Sequence, residues 1–300
     1  MASGAQWLEE RRKGIGGSDC AAILGLSPFK TALQVYQEKR KEVEDWQGSD
    51  VTDWGRRLEV PIREWYAEHT GRAVRLPDKI LYNTKYPFML ATLDGYTDDN
   101  RVVEIKTARS GKGWGDPGSS EIPDYYALQV QHYLIVTGFE VADVPVSIAG
   151  SPPKLYEVPA DKELHEMIIE AEAAFWHRVE TGNPPEPVTF ADALRKYGGS
   201  KAQGLVIATE SVLSTINDLR GVREEIASLE AREEALKAAI IIAIGDAGSD
   251  LVDSLGNVLA TYRMGTGRKV FDHKTLEKQM PEIYKKYLKH TEPQRRFILK

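Results

Sequence analysis

An α/β fold with a helical extension is the class this sequence predicts, on three observations. Apolar runs of strand length alternate with stretches of helical periodicity through the first two thirds of the chain. The segment Gly182-Asn183-Pro184-Pro185-Glu186-Pro187 then breaks the pattern as a linker. Beyond it an apolar series recurs at heptad spacing. The expected organisation is a sheet-and-helix domain over residues 1–190, then a helical coiled-coil segment with a small basic α+β tail over 191–300.

Each element follows from local chemistry. Gly14-Ile15-Gly16-Gly17-Ser18-Asp19 precedes an apolar stretch at 20–26, which reads as a glycine turn delivering Ser18 as the N-cap of a short helix. Free N–H groups at such an end favour a phosphate, and Arg11, Arg12 and Lys13 lie just upstream; an ordinary capped turn is the competing reading. Neither G-x-x-x-x-G-K-[ST] nor G-x-S-x-G occurs there. Over 52–70, Trp54, Leu58, Ile62, Trp65 and Tyr66 fall at helical spacing, Gly71 closes the helix, and Glu59 sits at the edge of the apolar face.

Strands are expected at 73–76, 80–83, 88–97 and 101–107, ahead of a helix over 123–137 on which Tyr126, Gln129 and Tyr133 share one face. Strands at 142–148 and 154–158 and a helix over 161–181 complete the domain. In the extension, Val212, Leu219, Ile226 and Ile240 occupy heptad position a and Val222, Leu229 and Leu236 position d, with Glu233 interrupting the a series. An amphipathic helix packing on its own domain is the alternative to a coiled coil. Short strands near 251–252 and 258–264 and helical stretches from Asp272 and Pro281 follow.

The chemistry concentrates in residues 93–106. Side chains alternate along a strand, so Glu104 and Lys106 share a face while Ile105 points the other way, into the core. Asp98-Asp99-Asn100 is a polar turn cluster, so 93–97 and 101–106 pair as an antiparallel hairpin. Asp94 then lies within roughly 5–8 Å of the Glu104/Lys106 face. Hard oxygen donors at that spacing suit Mg²⁺, and a lysine on the same face orients a water or offsets charge on a phosphate. The pattern reads as a phosphodiesterase site; a surface hairpin with solvated charges is the plain alternative.

Composition bounds the classes further. With 300 residues, 42% of them hydrophobic, the chain is long and apolar enough for a large core. The single cysteine, Cys20, excludes an intramolecular disulfide framework and a four-cysteine metal cluster, and fits a reducing cytoplasm. The apolar run at 238–244 is too short to span a bilayer, and residues 1–7 lack the basic-then-apolar order of a secretory signal. A net charge of −6 speaks against a nonspecific nucleic-acid coat, yet the charge is uneven. Residues 1–190 carry 21 basic and 30 acidic side chains, whereas residues 261–300 carry eleven basic against four acidic. A DNA-tracking arm is one reading of that tail, and homo-oligomerisation through the heptads is the competing role for the extension.

Taken in order, Gly14-Ile15-Gly16-Gly17-Ser18-Asp19, Trp54-Gly55-Arg56-Arg57-Leu58-Glu59, Leu93-Asp94-Gly95, Glu104-Ile105-Lys106-Thr107 and Tyr126-Ala127-Leu128-Gln129-Val130-Gln131-His132-Tyr133 resemble the motifs of the YqaJ-type viral recombinases. These are the lambda-exonuclease-like branch of the PD-(D/E)XK nucleases. Leu93 stands where the superfamily's name has proline. The resemblance covers residues 1–190 and implies a restriction-endonuclease-like core with a mixed central sheet flanked by helices.

It also implies an Mg²⁺-dependent (alternatively Mn²⁺-dependent) 5′-to-3′ double-strand DNA exonuclease. Such an enzyme acts at DNA ends in the cytoplasm of a bacterial host, is phage or prophage encoded, and exposes single strands for a phage annealing protein. Asp94, Glu104 and the Ile105 carbonyl are the implied metal ligands, Glu59 helps organise the metal or its water, and Lys106 positions the attacking water. Arg11, Ser18, Thr92 and Gln129 match a 5′-phosphate pocket, with Thr92 where a related enzyme has serine, and Tyr126 lies on the same DNA-binding face. A trimeric assembly is implied by the resemblance alone. A RecB-like single-strand exonuclease, an endonuclease of the same superfamily, and a catalytically silent DNA-end binder are the alternatives.

Overall fold

The computed structural model describes residues 4–44, 48–201, 203–246, 248–289 and 295–300, so residues 1–3 of the N-terminal expectation lie outside the described residues. The chain forms two compact units, one ending at Lys196 and one beginning at Tyr197. The first carries α1 (Gly4–Arg12), β1 (Ile15–Gly16), α2 (Gly17–Ile23), α3 (Ala32–Lys39), α4 (Asp50–Thr70), β2 (Val74–Arg75), β3 (Leu81–Tyr82), β4 (Met89–Ala91), β5 (Gly95–Thr97), β6 (Arg101–Val103) and β7 (Lys106–Ala108). It continues through α5 (Asp124–Thr137), β8 (Val141–Ile148), β9 (Lys154–Pro159), α6 (Lys162–Thr181) and α7 (Phe190–Tyr197). The first unit runs past residue 190 because Asp192 of α7 is fully buried and accepts the Thr31 hydroxyl at 2.9 Å.

The main sheet is mixed. β2, β5 and β6 pair antiparallel, β6 and β7 both pair with β8 in parallel, and β9 closes antiparallel on the other side of β8. Helices cover both faces, as strand alternation requires. Val103 and Ile105 pack with Ile62 and Tyr66 of α4, while Val102, Val144 and Val146 join Leu128 and Val130 of α5 and Ile168 of α6. A smaller sheet pairs β1 with β4 in parallel and β4 with β3 antiparallel.

Two expected strands are each divided. The stretch 88–97 splits into β4 and β5, which belong to different sheets, and Thr92, Leu93 and Asp94 form the step between them. The stretch 101–107 splits into β6 and β7 at Glu104-Ile105, yet Arg101 opposes Val141 and Lys106 opposes Val146, so the register does not slip. The physical cause lies across the ladder. Pro145 opposes Ile105 in this register, and without an N–H it cannot supply the bond due at the Glu104 carbonyl.

A third expectation is corrected at the glycine turn. Gly16, not Ser18, caps α2: the Asp19 carboxylate accepts the Gly16 N–H at 3.2 Å, and Ser18 falls in the first turn with its side chain exposed. The predicted helices over 52–70 and 123–137 are present as α4 and α5, each ending on a left-handed glycine, Gly71 at φ 71° and Gly138 at φ 73°.

The second unit consists of α8 (Glu210–Ile244), the hairpin β10 (Asp250–Val252) and β11 (Val258–Thr261), α9 (His273–Gln279) and α10 (Pro281–Tyr287). Thr209 caps α8, accepting the Val212 N–H. Among the described residues no helix is long and apolar enough to cross a membrane.

Candidate active site

The interrupted strand sets the site. Glu104 donates its N–H to Asp143 O at 3.0 Å and Ala149 donates to Ala108 O at 2.8 Å, so the even-numbered residues of this edge turn their peptide groups toward β8. By the same alternation Ile105 turns its peptide away. Its N–H donates instead to Asp94 Oδ2 at 2.9 Å, and its carbonyl belongs to that same open edge. The β5–β6 hairpin makes this meeting possible, because Gly95 opposes Val103 and the next position in register sets Asp94 beside Glu104. Asn100 in the turn adopts φ 61°, a left-handed conformation that asparagine tolerates better than most residues.

Helix α5 closes over the other face. Gln129 Nε2 donates to Glu104 Oε1 at 2.7 Å and to Tyr133 Oη at 3.2 Å, while Gln129 Oε1 accepts from Lys106 Nζ at 3.0 Å. Lys106 Nζ also donates to Glu104 Oε1 at 2.6 Å and lies 4.6 Å from the centre of the Tyr126 ring. Of the three residues that sequence spacing sets on one helical face, Tyr126 and Gln129 thus reach the Glu104–Lys106 pair directly and Tyr133 joins through Gln129. Both N–H donors of Gln129 are engaged inside the protein, one with the Glu104 carboxylate and one with the Tyr133 hydroxyl.

Electrostatics mark the cluster. Burial, then Asp94, push the Glu104 carboxyl up to about 8 against the pull of Lys106, and Glu59 adds to the rise. Burial likewise raises Asp94, and burial followed by Asp94 raises Glu59 on α4. Burial works against the charge on Lys106, but Glu104 and Asp94 outweigh it and hold the ammonium protonated. Three carboxylates therefore crowd one lysine. Moreover, Glu104 Oε2 is buried and has no hydrogen-bond partner. A buried carboxylate oxygen without a donor is costly unless a proton or a cation meets it, and the raised Glu104 carboxyl beside Asp94 keeps a proton that a cation would displace. Asp94 and Glu104 with the Ile105 carbonyl offer hard oxygen donors of the kind that suits Mg²⁺, and Glu59 stands half-buried on α4 within their electrostatic reach.

The remaining expected positions lie at the rim. Arg11 donates to Ser18 Oγ at 2.9 Å, and the two are one ring away from the carboxylates: a Cβ on Gly17 would come within 2.5 Å of the Tyr133 ring and 3.0 Å of Gln129 O. Thr92 is exposed at the step between β4 and β5, two residues before Asp94. Glu59 stays half-buried on α4, whose neighbour Arg63 donates to Asp94 O at 3.2 Å.

Sequence reasoning missed the support behind this rim. Fully buried Asp19 is ion-paired to Lys30 Nζ and Lys39 Nζ, each at 2.7 Å, with Arg11 at 3.7 Å. Burial opposes its charge, yet Lys30, Lys39 and Arg11 together hold its carboxyl well below the usual range. No spacing rule links these positions. Deeper still, His132 turns inward, Nδ1 against Glu172 Oε1 at 2.8 Å and Nε2 against Leu90 O at 2.9 Å, which ties α5 to α6 and β4.

The chain is similar to known proteins. Residues 6–140 match the YqaJ-like viral recombinase domain. The chain is 31% identical over 297 residues to the uncharacterized protein YqaJ of Bacillus subtilis (strain 168), a match covering 95% of this chain and 91% of that one. Among solved structures, an alkaline exonuclease (LHK-Exo) from Laribacter hongkongensis is 18% identical, with a TM-score of 0.49, over 60% of this chain and 94% of its own. A phage related exonuclease from Haemophilus somnus 129PT is 14% identical, with a TM-score of 0.43, over 56% of this chain and 96% of its own.

Proposed function

This chain belongs to the YqaJ-like viral recombinase family, and from that premise we propose that it is an Mg²⁺-dependent 5′-to-3′ double-strand DNA exonuclease, exposing single strands at DNA ends for a phage annealing protein. The observation that carries the reading is the unpartnered, buried Glu104 Oε2 beside Asp94, Glu59 and Lys106. A solvated surface hairpin would have no such atom. Asp94, Glu104 and the Ile105 carbonyl would hold the ion, with Glu59 organising it or its water from α4. When bound, Mg²⁺ supplies charge that polarises a phosphodiester and favours hydroxide over water.

The chain's own groups do the rest. Lys106 keeps a positive charge in a site walled by Tyr126, where it orients the attacking oxygen and offsets negative charge gathering on the phosphate. Gln129 fixes both members of the Glu104–Lys106 pair and so holds the lysine at a constant place. Arg11 and Ser18, in contact with each other and one ring removed from the carboxylates, would receive the 5′-terminal phosphate, and Thr92 is the exposed hydroxyl nearest Asp94 in sequence.

End-labelled linear duplexes that carry or lack a 5′-phosphate, incubated with Mg²⁺ beside covalently closed circles, test the reading. Phosphorylated linear duplex should be digested, unphosphorylated duplex more slowly and circles not at all, with activity lost in Lys106→Ala. Equal cutting of circles would establish an endonuclease, and preference for single strands a RecB-like enzyme. Duplex binding without cleavage at any Mg²⁺ or Mn²⁺ concentration would leave only an end-binding protein.

A further inference from the structure

Helix α8 carries its apolar seam in the open. Val222, Ile226, Leu229, Leu236 and Ile240 share one heptad frame and are 42% to 62% exposed. An apolar repeat of 3.5 residues is the mark of a seam that winds about another helix, and a helix whose seam stays in water draws little stability from packing. We propose that this seam binds the same helix of a second copy of the chain, running antiparallel, with the two-fold axis between Ala227 and Ser228.

Charge chooses the orientation. In the antiparallel frame Ile226 of one copy meets Leu229 of the other, Leu219 meets Leu236, and the polar intruder Glu233 lies opposite Val222. The flanking positions then match: Glu225 faces Arg232 and Arg223 faces Glu230, each contact made twice by symmetry. A parallel pair does the reverse. It sets Glu225 against Glu230, Arg232 against Lys237 and the two Glu233 side chains in one layer, leaving Asp218 with Arg223 as its favourable contact. Among the described residues, none of Arg223, Glu225, Glu230 and Arg232 forms an ion pair within its own chain, whereas Glu233 is held by Lys237 at 2.9 Å, a contact that can draw it to the edge of the seam.

Sedimentation velocity of the full chain over a range of concentrations tests the pairing. Wild type should self-associate. Glu225→Lys should weaken association roughly tenfold, because two attractive contacts per pair become repulsive, Arg232→Glu should do the same, and the combination should restore it. Ile226→Asp should abolish it. A monomer at every concentration overturns the proposal, as does association indifferent to these substitutions. Tighter association in Glu225→Lys also overturns it, since relief of Glu225 against Glu230 is the signature of a parallel pair. The measurement reads assembly and not DNA cleavage, so its result stands apart from the nuclease reading.

Discussion

Glu104 is the residue on which the proposed chemistry turns, and its ionisation is the most direct way to probe it. Its carboxyl titrates at about 8 in the folded chain against an ordinary 4.5, so the folded state holds a proton that the unfolded state releases earlier. The stability this group contributes is fully present below pH about 4.5 and is lost as pH rises through about 8. Without divalent ions, this group should therefore make the melting temperature fall as pH rises from about 4.5 to about 8 and level off above, and Mg²⁺ should offset the fall. Glu104→Gln should show neither effect, read by thermal melts at several pH values. Lys106→Ala should lower cleavage by roughly 10²- to 10³-fold, the range for losing one preorganised charge at a reacting centre. A variant that cleaves at the wild-type rate would remove Lys106 from the mechanism.

At the scale of elements, the site depends on how closely α2 approaches α5. Gly17 lies against the Tyr133 ring and the Gln129 backbone, where a methyl group has no room. Gly17→Ala should cost about 1–3 kcal/mol by overpacking and displace Gln129 from Glu104, lowering both the denaturation midpoint and Mg²⁺ affinity. Helix α4 is fixed from the other side: Tyr66 donates to Asp143 at 2.5 Å, and Arg101 grips the same carboxylate through Nε at 2.8 Å and a terminal nitrogen at 2.7 Å. Arg101→Ala should destabilise the fold by about 3–5 kcal/mol, because it strands a buried carboxylate, and chemical denaturation measures it.

Periodicity made much of this visible beforehand. The face shared by Tyr126, Gln129 and Tyr133 and the pairing of Asp94 with Glu104 both follow from 3.6- and 2-residue repeats. The division of the strand at Ile105 did not, because Pro145 acts from a strand 40 positions away in the register.

For the whole molecule, the division into two units separates the candidate site from the extension. Residues 261–300 hold a surplus of seven basic side chains, and if they track DNA, deleting them should flatten the salt dependence of duplex binding without removing Mg²⁺-dependent protection of the first unit. An unchanged slope would discard the tracking role. By itself the sequence determined which side chains share a face, which motifs occur in family order and where helices stop at glycine, since each depends on residues a few positions apart. Only the tertiary structure decided that Glu104 is buried with an oxygen left over, that Gln129 turns inward and that Asp19 sits among Lys30, Lys39 and Arg11. Burial and charge are properties of what packs from elsewhere in the chain, and no local repeat encodes them.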